Sequence, residues 1–118
     1  MIRRWSVARM LSACLFVSAS LASSASAQSD LEHAREVFER GTAYYENQNY
    51  ALALQAFQES YAPLDGHPRQ ALILFIVGRC YEELGPFRDA RDAYQRYLRL
   101  APSASDAAQV RERLARLQ

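Results

Sequence analysis

Two stretches of this chain carry a small residue, two aromatics, a small residue and an aromatic in the same order: Gly41, Tyr44, Tyr50, Ala53 and Phe57, then Gly78, Tyr81, Phe87, Ala90 and Tyr94. Counted from each glycine, the offsets are 3, 9, 12 and 16 in both copies. Alternating small and bulky residues at such spacings describe helical hairpins in which absence of bulk on one helix receives bulk from the other. Gly41 and Gly78 admit the partner helix, Ala53 and Ala90 admit it from the other side, and Tyr44, Phe57, Tyr81 and Tyr94 fill the space between. These residues read as packing residues, and any binding site belongs to the positions between them.

The hydrophobic spacing supports five helices. Ser29 followed by Glu32 has the form of a capping box, which predicts a helix start ahead of Leu31, Ala34, Val37, Phe38, Gly41 and Tyr45. The Asn47-Gln48-Asn49 cluster ends it. A second helix carries Tyr50, Ala53, Leu54, Phe57 and Tyr61 on one face and stops at Pro63, Asp65-Gly66 and Pro68. A third opens near Arg69, and its Leu72, Leu74, Phe75, Ile76 and Val77 make it apolar nearly all round, hence central. Gly85-Pro86 supplies a stop and a residue suited to the first turn of the next helix, which turns Phe87, Ala90, Tyr94, Tyr97 and Leu98 inward. Its Arg88, Arg91, Arg96 and Arg99 alternate with Asp89 and Asp92, and Asp92 with Arg96 forms an acid-before-base pair, so this side reads as a solvated convex face. Ser103 and Asp106 suggest a cap for a last helix with Ala107, Val110, Leu114 and Leu117 in one stripe, covering the open end of the second hairpin.

The doubled spacing resembles the tetratricopeptide repeat, whose period is about 34 residues. The resemblance covers Ala34 to Pro102, and the second copy also places Gly85, Leu98 and Pro102 as the family does. Tyr97 stands where the family favours alanine, and Val37 and Arg40 stand where it favours tryptophan and leucine. The glycines lie 37 residues apart, so the loop around Pro63 to Pro68 holds about three residues more than the period requires. The resemblance implies an all-α fold of antiparallel helix-hairpin repeats: two units, about 34–67 and 71–104, and a capping helix at about 105–118, in a short right-handed α-solenoid.

Residues 1–27 read as a cleavable signal peptide. Arg3, Arg4 and Arg9 make a positive start, Met10 to Ala22 is apolar and small, and Ala25-Ser26-Ala27 offers a cleavage site before Gln28. The apolar run is shorter than the roughly 20 residues of a spanning helix. The alternatives are a retained membrane anchor and a lipoprotein, since Leu11-Ser12-Ala13-Cys14 is similar to a lipobox. All 14 basic residues are arginine, and three lie in the leader, which leaves 11 against 13 acids and a mildly acidic domain over 28–118. That balance offers no footprint for nucleic acid. Cys80 is the one cysteine beyond the leader, so no internal disulfide is available there, and its place beside Tyr81 suits a small core side chain.

In this family the first helix of each repeat lines a concave groove that binds a peptide or helix. The corresponding residues are Phe38, Thr42 and Tyr45 in repeat one and Phe75, Arg79 and Glu82 in repeat two. Phe38 and Phe75 hold the same repeat position, and they suit either a groove wall for an apolar segment or the core. The groove lacks lysine, so the carboxylate clamp of the chaperone-binding members is not expected. His33 and His67 stand apart from any metal-ligand spacing, and there is no phosphate loop, so neither metal, cofactor nor catalysis is expected. The expectation is a non-catalytic adaptor or assembly factor of a bacterial cell envelope, exported to the periplasm. The alternative is a self-associating homodimer, because repeats usually need about three units to bury a continuous core.

Overall fold

The computed structural model describes the backbone from residue 17 to 118 and the side chains from residue 23. The basic start of the leader, most of its apolar run and Cys14 lie outside the described residues. Among those described are five α-helices and a 3-10 turn: α1 (Val17–Glu46), α2 (Tyr50–Tyr61), the turn Ala62–Leu64, α3 (Arg69–Leu84), α4 (Phe87–Leu100) and α5 (Ala107–Arg116). The chain divides into two compact units, Met1–Asp30 and Leu31–Gln118, and both repeats lie in the second. The first contributes helix with exposed side chains over residues 23–30. The expected helix start at Ser29 is not found, because α1 passes through it. No glycine or proline interrupts residues 17–40, so the helix propagates and the capping side chains have no terminus to cap.

Each element ends where its sequence provides a reason. At the end of α1 the Asn47 amide donates to the Ala43 carbonyl at 2.8 Å, and Gln48 takes a left-handed φ of 58° that turns the chain into α2. At the end of α3, Gly85 caps at φ 105°, its N–H returning to the Tyr81 carbonyl. Pro86 stands just ahead of α4 rather than within its first turn. The extra loop residues form the 3-10 turn, which drives Leu64 into the core.

The repeated glycines act as expected. A Cβ at Gly41 would stand 2.9 Å from Phe57 Cε1, and one at Gly78 would stand 2.7 Å from Tyr94 Cδ1. In both hairpins the glycine therefore meets the aromatic sixteen residues later face to face. Ala53 and Ala90 are fully buried on the second helices, but the alanine that faces Gly41 is Ala56, whose Cβ would lie 3.1 Å from an added Cβ. Helix α3 lies between α2 and α4 and feeds two clusters. Ile73, Val77 and Cys80 join Ala34, Ala53, Phe57 and Leu64, while Leu74 joins Ala90, Tyr94, Tyr97, Ala107 and Val110. Tyr44 and Tyr81 are only half-buried, so the filling of each hairpin falls mainly to Phe57 and Tyr94.

Several expected orientations are corrected. Leu72 is 43% exposed, so α3 is central without being buried all round. Phe87 is 50% exposed rather than inward. Its counterpart Tyr50 packs edge-on against Tyr45 at 5.2 Å, but the residue equivalent to Tyr45 in repeat two is Glu82, so Phe87 has no ring to pack on. The arginines of α4 are not simply solvated: Arg91 donates to the Leu117 carbonyl at 2.6 Å, and Arg96 turns from Asp92 to the Tyr61 hydroxyl at 3.2 Å. Asp106 precedes α5 without capping it by its side chain, because its carboxylate accepts the Tyr97 hydroxyl instead. Tyr97, where the family favours alanine, thus fastens the last helix.

Leu64→Ala is expected to cost about 2–5 kcal/mol and Phe57→Ala about 3–5 kcal/mol in urea denaturation, against under about 0.5 kcal/mol for Leu72→Ala. Equal losses at all three positions would contradict this assignment of the core.

Candidate functional site

The proposed groove residues separate into three groups. Phe38 rests on Phe57 with ring centroids 5.4 Å apart, and the Thr42 hydroxyl is spent on the Phe38 carbonyl at 3.1 Å. Both are half-buried and belong chiefly to the first hairpin. Glu82 is held by a partner within the chain. Its Oε2 accepts from Arg113 Nη1 of α5 at 2.8 Å, with both side chains about four-fifths covered. The sequence offered no sign of this pair because its members lie 31 residues apart.

Tyr45, Phe75 and Arg79 do come together. The Arg79 guanidinium lies 5.3 Å from the Tyr45 ring centroid and 6.0 Å from that of Phe75, so the cation bridges the first helices of the two repeats. Phe75 is supported from behind by Tyr94 at 6.2 Å and Tyr97 at 6.0 Å. Tyr50, overlooked as a helix-face residue, buttresses Tyr45. Its place in the doubled pattern was the signal available. Burial pushes the Tyr45 hydroxyl pKa up, with Arg79 opposing. Stacking leaves the guanidinium edge and its N–H donors available, a geometry that suits carbonyl or carboxylate oxygens. None of these residues lines the cavity of about 330 Å³ between Gln58, Tyr61, Tyr81 and Arg96. The aromatic–arginine cluster lies apart from it.

Comparison with known families matches the tetratricopeptide repeat over residues 39–103, more than half of the chain. The chain belongs to the tetratricopeptide repeat family. Neither the curated proteins nor the solved structures compared with it give a match. Tetratricopeptide repeats generally mediate protein–protein interaction. Among the described residues no helix is long and apolar enough to cross a membrane, and no group of three or more His, Cys, Asp or Glu converges to hold a metal ion.

Three buried groups hold their protons more tightly than usual. Cys80 is a free, fully buried thiol whose pKa burial raises from 9.0 to about 11. Burial, then the hydrogen bond to Asp106, pushes Tyr97 up to about 12. The Tyr94 hydroxyl lies buried beside Glu82 and Arg113 without a well-formed hydrogen bond, and burial first, then the Glu82 charge, pushes its pKa upward. In each case the folded state holds its proton more tightly than the unfolded chain. Stability is therefore full below the unfolded pKa values and is lost as pH rises toward the folded ones. Denaturation midpoints are expected to fall from pH 9 upward, with Cys80→Ala delaying the onset toward the tyrosine range near pH 10. A midpoint constant to pH 11 would contradict the burial of these groups.

Proposed function

We propose that this chain is a non-catalytic adaptor or assembly factor that receives a peptide or helix of another protein against Tyr45, Phe75 and Arg79. The observation that carries this reading is the Arg79 guanidinium stacked on Tyr45 and Phe75, 5.3 Å and 6.0 Å from their centroids. The stack fixes the cation while leaving its edge free, so a ligand oxygen is met by a donor that loses little side-chain entropy. Phe75 and Tyr45 add aromatic area beside it, and aromatic and arginine residues dominate binding energy at protein interfaces. The fitting segment carries an apolar side chain for Phe75 and a carbonyl or acidic oxygen for Arg79.

The compartment we propose is the bacterial periplasm. It is supported by the sequence of residues 1–27, with a basic start, a short apolar run and Ala25-Ser26-Ala27. Photo-crosslinkers placed at positions 75 and 79 in cells are expected to capture one and the same foreign polypeptide, on a chain whose mass places its N-terminus at Gln28. A crosslinker at exposed position 88 is expected to capture none. Absence of capture from both groove positions would refute the groove, and an intact or lipidated leader would refute the compartment.

A further inference from the structure

The side of repeat two that faces α2 shows how one repeat meets another in this chain. Val77, Tyr81, Asp89, Asp92, Ala93 and Arg96 line it, and Gln58 and Tyr61 of α2 stand across a cavity of about 330 Å³. The Gln58 amide donates to the Tyr81 hydroxyl at 2.9 Å, and Arg96 lies 5.3 Å from the Tyr61 ring centroid. Thirty-seven residues earlier, Arg40, Tyr44, Leu52, Gln55, Ala56 and Glu59 occupy the same six positions. They line an open cleft of about 150 Å³ to which no other described residue contributes. Among the described residues, no repeat is set against this face of the first repeat.

The differences between the two faces indicate what covers it. Arg40 replaces Val77, Leu52 replaces Asp89, and Glu59 replaces Arg96. Another repeat arriving with an aromatic residue, as α2 arrives with Tyr61, would need the stacking cation that repeat two supplies at Arg96. At Glu59 it would find a carboxylate. The face carries one cation and one anion on opposite helices, joined at 3.4 Å and both 47% exposed, with His33 also reaching Glu59 at 3.4 Å from the rim. Leu52, 41% exposed, adds apolar surface where repeat two has a charge. Such a surface is complementary to itself. A two-fold axis through it would set each Arg40 against the Glu59 of the other copy and cover the leucines.

We infer that the outer face of the first repeat pairs with the same face of a second copy of this chain. The pairing is independent of the groove, since none of Arg40, Leu52 and Glu59 touches Phe75 or Arg79 in the contacts described above. In sedimentation equilibrium the full chain is expected to dimerise at micromolar concentration. Arg40→Glu and Glu59→Arg are each expected to weaken dimerisation by about tenfold or more through two like-charge contacts, and Leu52→Glu likewise by burying a charge. Mixing Arg40→Glu with Glu59→Arg restores the dimer, because both cross-axis contacts become attractive in the heterodimer. Circular dichroism of each variant checks that the helices are retained, and Leu52→Glu at its exposed position serves if the charge swaps unfold. A monomeric wild-type chain, a dimer indifferent to all three changes, or a different polypeptide displaced by Leu52→Glu would each overturn the second copy as occupant.

Discussion

The close approach of a glycine to an aromatic ring sets the geometry on which the other contacts of this domain rest. At Gly41 and Gly78 the space of the missing Cβ is taken by ring atoms of Phe57 and Tyr94. The same contact made twice, 37 residues apart, aligns the two hairpins and places α3 between α2 and α4. A glycine within a helix carries an entropic cost of about 0.5–1 kcal/mol relative to alanine. Burying a whole aromatic ring against the backbone offsets that cost, because a fully buried large side chain contributes about 1.5–3 kcal/mol.

The two ends of the array are treated differently. The C-terminal end is closed by α5, which buries Ala107 and Val110 and is held by polar fastenings at Tyr97 to Asp106, Arg113 to Glu82 and Arg91 to the Leu117 carbonyl. A buried or half-buried polar group is costly unless partnered, so these fastenings specify where α5 docks as much as they strengthen it. The first repeat's outer face uses the same six repeat positions as the face of the second that meets α2, but with different chemistry. That contrast separates the packing residues, which repeat, from Arg40, Leu52 and Glu59, which do not.

The packing was legible in the sequence because it depends on residue size at fixed spacing, and both copies report the same spacing. Gly85 and the stripe on α5 were legible for similarly local reasons. What was not legible depends on partners distant in sequence. Glu82 belonged by position to the groove, but Arg113, contributed by α5, claims it. Phe87 matched the pattern, yet its surroundings changed when Tyr45 became Glu82 at the equivalent place. Arg91, Arg96 and Asp106 looked like surface and cap residues until their long-range hydrogen bonds were seen. Within the groove, the position of Arg79 was readable, but its stacking on Tyr45 was not, since that contact spans two repeats.

The most direct test of the glycine–aromatic contact is a double-mutant cycle on Gly78 and Tyr94, measured by urea denaturation. In the wild-type background Gly78→Ala is expected to destabilise by about 1–3 kcal/mol through overpacking against the ring. In a Tyr94→Leu background, with the ring removed, the same change is expected to stabilise by about 0.5–1 kcal/mol, the ordinary gain of alanine over glycine in a helix. A Gly78→Ala effect of the same sign and size in both backgrounds would contradict the claim that this contact organises the fold.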